Sequence, residues 1–166
     1  MVRRMLPKPT GDEEPEIKLL GRRVIVLRAG TFVDIQKSVE NLLGEEAQAL
    51  FYEAGIRAGR GSAKVQLEKW GERGEDFIKK WGKFYTSVGW LKIEKININK
   101  QNKQIRIKKS FIADEYGESD KPVCHFLAGF FVGVFKEVFS EELTCEETMC
   151  TAKGDPCCEF KLEKYR

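Results

Sequence analysis

The chain has 166 residues, of which 42% are hydrophobic and 33% charged, a composition typical of one globular domain and not of a disordered chain. Its net charge of +3 is only mildly basic, so we expect no strong binding to nucleic acid. The longest apolar stretch, residues 126–135, is shorter than the roughly 20 residues that a membrane helix needs, and no signal peptide is recognisable. We therefore expect a cytoplasmic protein without a membrane span.

The N-terminal part predicts an arm, a strand and the start of a helix. Residues 1–18 are rich in proline and charge, which indicates a flexible arm, and residues 19–166 make up the single predicted domain. The apolar run 23–28 predicts a buried strand. Thr31 then has the side chain of a helix N-cap, with Asp34 placed as in a capping box.

Two further helical regions follow. Apolar residues at helical spacing predict a helix over residues 44–59, ended by glycine. Gly55 and Gly59 lie four positions apart, so this face of the helix allows another helix to approach closely. Residues 62–88 predict one broken helix or two short ones, and the second half carries an aromatic stripe.

A β-hairpin is predicted in the middle of the chain. Its first strand opens at Trp90, and the alternation of apolar residues changes parity between Ile93 and Ile96, which indicates a β-bulge. A turn at residues 100–102 leads to a second strand that ends at Phe111.

The C-terminal part predicts a polar loop, a buried helix and a second hairpin. Residues 114–122 are polar, whereas residues 123–139 are apolar nearly all the way round a helix, which is typical of a central helix. Strands are predicted at 141–149 and 157–163, joined by a turn at 150–156. The order of elements predicts an α+β domain with an antiparallel sheet packed against helices.

The cysteines cluster near the C-terminus. An odd number of thiols argues against a disulfide framework, and clustered thiols bind metal or do redox chemistry. Zinc is the first candidate, an iron–sulfur cluster is the second, and the alternative without a metal is that the thiols are small buried hydrophobic groups. The five residues are Cys124, Cys145, Cys150, Cys157 and Cys158.

Strand geometry restricts which of these thiols can meet. Glu147 and Cys150 are three positions apart, so a flat strand would place them on opposite faces. Cys150 must therefore lie beyond the strand end if both are to bind one ion. Cys157 and Cys158 are neighbours on opposite sides of a strand, so we expect only one of them to be a ligand.

These residues form a motif that is similar to the signature of the V4R (4-vinyl-reductase) family. The motif joins Cys124 and the glycine pair of the central helix to the C-terminal run from Glu147 to Phe160. Zinc-containing members of that family bind the ion with three cysteines and one glutamate. The resemblance implies a structural Zn²⁺ held by Cys124, Glu147, Cys150 and Cys158.

The resemblance also implies a fold and a function. It implies a fold similar to that of a trafficking-complex subunit, a homodimer built on the N-terminal helices, and a sensor or accessory domain that binds a small apolar or aromatic molecule and acts on a separate effector protein. An accessory protein or reductase component for a vinyl tetrapyrrole is the second hypothesis, and a dimeric scaffold is the third. Because neither a nucleophile elbow nor a dinucleotide fingerprint is present, we do not expect an enzyme that works alone.

An apolar ligand pocket between sheet and helices is the expected binding site. The alternative for each pocket residue is an ordinary core position. The pocket candidates are Trp81, Phe84, Tyr85, Trp90, Phe111 and Phe130, with Phe131 as a further aromatic neighbour.

Overall fold

A computed structural model of the chain describes residues 16–99 and 103–165. Its elements, in chain order, are β1 (Ile17–Leu19), β2 (Arg22–Val24), α1 (Ala29–Leu43), α2 (Glu46–Trp70), α3 (Gly74–Ser87), β3 (Leu91–Ile98), β4 (Lys103–Ser110), α4 (Phe111–Tyr116), α5 (His125–Phe139), β5 (Leu143–Met149) and β6 (Cys158–Lys164). The α+β class is confirmed. The predicted turn at 100–102 and most of the predicted arm lie outside the described residues.

Four strands form one antiparallel sheet in the order β3-β4-β6-β5. On the face that meets the helices, Ile105 of β4, Phe160 of β6 and Glu147 of β5 lie side by side. The ring of Phe160 packs against Phe131 of α5, with the ring centroids 4.9 Å apart. The opposite face carries ion pairs such as Arg106 Nε to Glu159 Oε2 at 2.6 Å. The sheet therefore has one core face and one charged face.

The central helix α5 lies between this sheet and α2. Its sequence is apolar on all sides and its middle is buried, as predicted. The contact with α2 is made by backbone rather than side chains: a Cβ atom at Gly129 would collide with the carbonyl oxygen of Tyr52, and one at Gly133 with that of Ile56. Gly55 and Gly59 face the backbone of α5 in the same way. The predicted close approach of two helices is confirmed.

Two of the predicted helix boundaries are wrong. The second helix runs through Gly59 to Trp70 and ends only at Gly71, whose φ of 80° suits glycine. Gly59 does not end the helix. Its role is to leave room for the backbone of α5, since a Cβ atom there would collide with the carbonyl oxygen of Phe130. Thr31 lies inside α1, and the N-cap position belongs to Arg28, which makes no side-chain cap.

The predicted buried strand over 23–28 is also wrong. Only Arg22–Val24 pairs with β1, and the apolar residues that follow are exposed, Ile25 at 79% and Val26 at 67%. An apolar run in a sequence predicts that its side chains are buried. It does not tell whether they are buried in the protein's own core or against another molecule.

The hairpin prediction holds except at its end. Register shifts between Lys92 and Lys95 confirm the bulge. Phe111 does not end a strand: it begins α4, and Ser110 caps this helix by accepting a hydrogen bond from the Ala113 N–H. No helix in the described ranges is both long and apolar enough to cross a membrane.

Gly129→Ala tests the backbone contact between α2 and α5. The added methyl group has no room against Tyr52, so we expect the free energy of unfolding to fall by at least about 2 kcal/mol in urea denaturation. Gly61→Ala is the matched control, because Gly61 lies in α2 with nothing within 4 Å of an added Cβ. That substitution should stabilise the protein by about 0.5–1 kcal/mol. Equal effects of the two changes would contradict the packing described.

Candidate metal centre

Four buried side chains converge beneath the start of α5. The ligand atoms of Cys124, Glu147, Cys150 and Cys158 all lie within 4.8 Å of one another. A tetrahedral zinc site with Zn–S bonds of about 2.3 Å needs sulfur atoms about 3.8 Å apart. The four residues named from the sequence therefore form a cluster that could hold a metal ion.

Two of the four positions follow from regular structure. Glu147 lies on the core face of β5, where the alternation of the strand points its side chain toward the helices. Cys158 is the first residue of β6 and lies opposite Ile107 of β4, on the same face. The sheet therefore presents one carboxylate and one thiol to the helical layer.

The other two positions depend on chain ends. Cys124 occupies the N-cap position of α5. Cys150 follows the last residue of β5 and precedes a 3₁₀ turn at Thr151–Lys153, after a register shift between Glu147 and Met149. This irregularity turns the chain so that Cys150 and Glu147 converge, and the prediction that Cys150 lies past the strand end is confirmed.

Backbone and side-chain hydrogen bonds hold the four residues in place. The Cys124 N–H donates to Glu147 Oε2 at 2.8 Å, and the Thr151 N–H donates to Cys158 Sγ at 3.3 Å. The Cys150 N–H donates to Asp155 Oδ2 at 2.8 Å, which fixes the turn. Within the described part of the chain, the second carboxylate oxygen of Glu147 has no hydrogen-bond partner of normal geometry, so it is available to a metal ion.

Electrostatics in the cluster favour a cation. Burial raises the pKa of Glu147 to about 8 and raises the pKa of Cys124 well above its ordinary value. Hydrogen bonds from the thiols of Cys124 and Cys158 lower the pKa of Cys150 to about 2. Without a metal, Glu147 and Cys124 thus keep their protons beside the thiolate of Cys150, and a divalent cation that displaces those protons would supply the compensating positive charge.

Three neighbours of the cluster were not predicted from the sequence. Ser110 Oγ lies 3.3 Å from Cys124 Sγ, and Gln36 Nε2 donates to the Val123 carbonyl oxygen at 2.9 Å. Asp155 was assigned only to turn chemistry. Gln36 lies three residues after Val33 and is buried with it on the inner side of α1, and this helical spacing is the signal that could have found it.

The remaining thiols lie outside the cluster. Cys157 is buried next to the positive charge of Arg106, and Cys145 lies in β5 opposite Leu162. The structure thus brings Cys158, and not Cys157, to the other three residues.

The predicted pocket residues form one connected aromatic cluster. Ring centroids are 5.1 Å apart for Trp81 and Tyr85, 5.2 Å for Tyr85 and Trp90, and 5.4 Å for Trp90 and Phe111. Trp81, Tyr85 and Phe130 are buried, whereas Phe84, Trp90 and Phe111 are half-buried. A surface cavity of about 430 Å³ is lined instead by residues 118–120 and 152–154, and none of the six aromatic residues contributes to it.

Relatives by sequence cover different shares of this chain. MJ1642 of Methanocaldococcus jannaschii is 31% identical over 85 residues, which are 51% of this chain and 52% of that protein. The phenol regulator MopR of Acinetobacter guillouiae is 26% identical over 149 residues, 82% of this chain and 26% of MopR. The chain thus spans about half of the first relative and a quarter of the second.

Solved structures share the fold. The phenol-responsive sensory domain of the transcription activator PoxR, solved with phenol, superposes with a TM-score of 0.78 at 21% identity, covering 98% of this chain and 86% of that one. A vinyl-4-reductase family protein from Methanocaldococcus jannaschii gives a TM-score of 0.55 at 15% identity, covering 83% and 91%. Residues 104–164, which hold all four members of the metal cluster, match the V4R domain family, and this match together with the shared fold confirms the V4R resemblance of the chain.

Proposed function

We propose that the chain is a V4R-type sensor domain that binds a small aromatic molecule and is stabilised by a structural zinc ion. The observation that carries the zinc assignment is the convergence of three thiols and one carboxylate within 4.8 Å, from three separate segments of the chain. All four tetrahedral positions are then supplied by protein, which is typical of a structural and not a catalytic zinc. The ion would join the start of α5 to the β5–β6 hairpin.

Paired serine variants test the metal assignment. Cys158→Ser should lose the zinc and lower the melting temperature by at least about 10 °C, because a buried carboxylate and two thiols lose their cation. Cys157→Ser is the matched control: its thiol is buried but lies outside the cluster, so about one zinc per chain should remain. Elemental mass spectrometry and calorimetry give both readouts. Iron in place of zinc, or zinc retained by Cys158→Ser, would overturn the assignment.

The ligand assignment rests on the aromatic cluster and on the relatives. Six aromatic side chains, from α3, the turn before β3, α4 and α5, pack on one another beside the sheet, and three of them are half-buried. A small aromatic ring that entered this cluster would find ring partners for stacked or edge contacts. MopR is a phenol regulator, and the PoxR sensory domain was solved with phenol. These two relatives support a small aromatic ligand for this chain.

Thermal shift with simple aromatic probes tests ligand binding. Phenol or toluene at concentrations above the dissociation constant should raise the melting temperature of the zinc-loaded protein, because a ligand that binds only the folded state stabilises it. Cyclohexanol, which has a six-membered ring that is not aromatic, is the control. It should raise the melting temperature less than phenol, because it cannot stack on the aromatic side chains. If neither phenol nor toluene produces a shift, the sensor proposal fails.

The proposal includes a homodimer that covers the N-terminal elements. Nearly all of the large hydrophobic side chains that the structure describes as exposed lie between residues 19 and 50, and Tyr165 is the exception. A group of exposed hydrophobic side chains in one part of the chain is typical of a protein interface. We take the partner to be a second copy of this chain, because most soluble oligomers are homo-oligomers. The exposed set is Leu19, Ile25, Val26, Leu27, Ile35, Leu42, Leu43 and Leu50.

Light scattering after size exclusion tests the dimer. The unaltered chain should elute with twice the mass of one chain, and Leu42→Glu should give the monomer, because Leu42 is 82% exposed and a buried charge at the interface is costly. Tyr165→Glu, at a residue that is 74% exposed and far along the chain, should leave the dimer intact. A monomeric unaltered chain would contradict the proposal.

A further inference from the structure

Helix α1 is attached to the domain by polar contacts as much as by apolar packing. Its two fully buried residues are Val33 and Gln36, and the second of these is polar with 0% exposure. Elsewhere on the helix, Ile35 is 50% exposed and Leu42 is 82% exposed. One buried apolar side chain contributes little to fixing a helix of this length, so the partners of its polar side chains decide where the exposed residues lie.

The polar contacts of α1 lead to one stretch of the chain, residues 110–124, which we call the α4 segment. Gln36 Nε2 donates to the Val123 carbonyl oxygen at 2.9 Å and to Glu40 Oε1 at 2.8 Å. The Tyr116 hydroxyl donates to the other carboxylate oxygen, Glu40 Oε2, at 2.6 Å. Helix α1 is thus bonded to the middle of the α4 segment and to its C-terminal end.

The same segment is bonded to the candidate metal cluster and its hairpin. Ser110 Oγ, at the start of the segment, lies 3.3 Å from Cys124 Sγ, and the Cys124 N–H donates to Glu147 Oε2 at 2.8 Å. The Ser119 N–H donates at 2.9 Å to the carbonyl oxygen of Ala152, in the 3₁₀ turn between β5 and β6. The α4 segment therefore lies between α1 and the cluster and has hydrogen bonds to both.

These bonds give the metal cluster a route to α1. Cys124 directly follows Val123, so a displacement of Cys124 also moves the carbonyl group to which Gln36 donates. A bound ion favours the arrangement in which Cys124 meets the other three ligands, and in that arrangement Gln36 and Glu40 have their partners. A ligand that binds one arrangement more tightly than another shifts the population toward it.

We propose that Gln36, Glu40 and Tyr116 couple the candidate metal cluster to α1, so that metal binding and the pairing of two chains through α1 strengthen each other. The inference rests on the proposed function, because it requires both the zinc ion and the homodimer. Coupling of this kind is reciprocal: the factor by which the ion tightens the dimer equals the factor by which the dimer tightens ion binding.

The dissociation constant of the dimer, measured by analytical ultracentrifugation with and without zinc, is the first readout. The zinc-free chain is prepared with a chelator and a thiol reductant, and circular dichroism checks that it is folded. We expect this constant to be at least about tenfold larger without zinc. In Gln36→Leu the two constants should differ less than about threefold, because the bonds to Val123 and Glu40 are lost.

Gln66→Leu is the matched control for this comparison. Gln66 is also a buried glutamine, with 1% exposure, but its amide donates to the Tyr85 hydroxyl in α3 and not to the α4 segment. The dimer of this variant should keep its dependence on zinc. Tyr116→Phe, which removes only the hydroxyl that donates to Glu40, replaces Gln36→Leu if that variant does not fold, and it should also narrow the difference.

Zinc affinity, measured by competition with a chromophoric chelator, is the reciprocal readout and decides the question if the zinc-free chain unfolds. The monomeric Leu42→Glu chain should bind zinc at least about tenfold more weakly than the dimer, and Gln36→Leu should remove most of that difference. A difference that persists with Gln36→Leu, or a folded dimer equally tight with and without zinc, would overturn the inference alone. A chain without zinc, or an unaltered chain that is monomeric, would overturn the proposed function together with the inference.

Discussion

The backbone contact between α2 and α5 is the constraint on which the rest of the domain depends. Glycines on both helices remove the side chains that would keep two helix axes apart, so the carbonyl groups of α2 lie against the backbone of Gly129 and Gly133. This close approach holds α5 in one position. The face of α5 opposite α2 contacts the sheet, where Phe131 packs against Phe160. A helix held in this way has little freedom to slide, and its first residue is therefore placed accurately.

Accurate placement of α5 is what brings Cys124 to the other three residues of the candidate metal cluster. Cys124 stands at the N-cap of that helix, directly over the core face of the sheet where Glu147 and Cys158 lie. Hydrogen bonds extend this arrangement outward: Gln36 Nε2 donates to the carbonyl oxygen of Val123 and thereby links α1 to the residue that precedes Cys124. The aromatic cluster contacts the same helix through Phe130, so α5 meets both the candidate metal cluster and the proposed ligand site.

Sequence reasoning predicted the metal cluster better than the helix boundaries, and there is a physical reason. Thiols and carboxylates have few uses in a core, so their spacing around a turn strongly restricts what Cys150 and Cys158 can do. Glycine has several uses, and Gly59 was taken as a helix end although it serves a contact 71 positions away, which no local pattern reveals. Similarly, the apolar residues that begin at Ile25 are exposed to solvent and not buried in the core of their own chain.

The distribution of the four candidate metal ligands along the chain bears on how the domain would reach its native state. Glu147, Cys150 and Cys158 belong to one hairpin, whose formation closes only a short loop, and Cys124 is 23 positions before Glu147. Since the entropy of loop closure grows with loop length, a hairpin that bound the proposed ion would need only one nearby thiol to complete the coordination. Binding of the ion would thereby restrict the conformational search at the C-terminal end. The glycine contact between α5 and α2 pairs distant segments, and it would form more readily once the start of α5 is anchored.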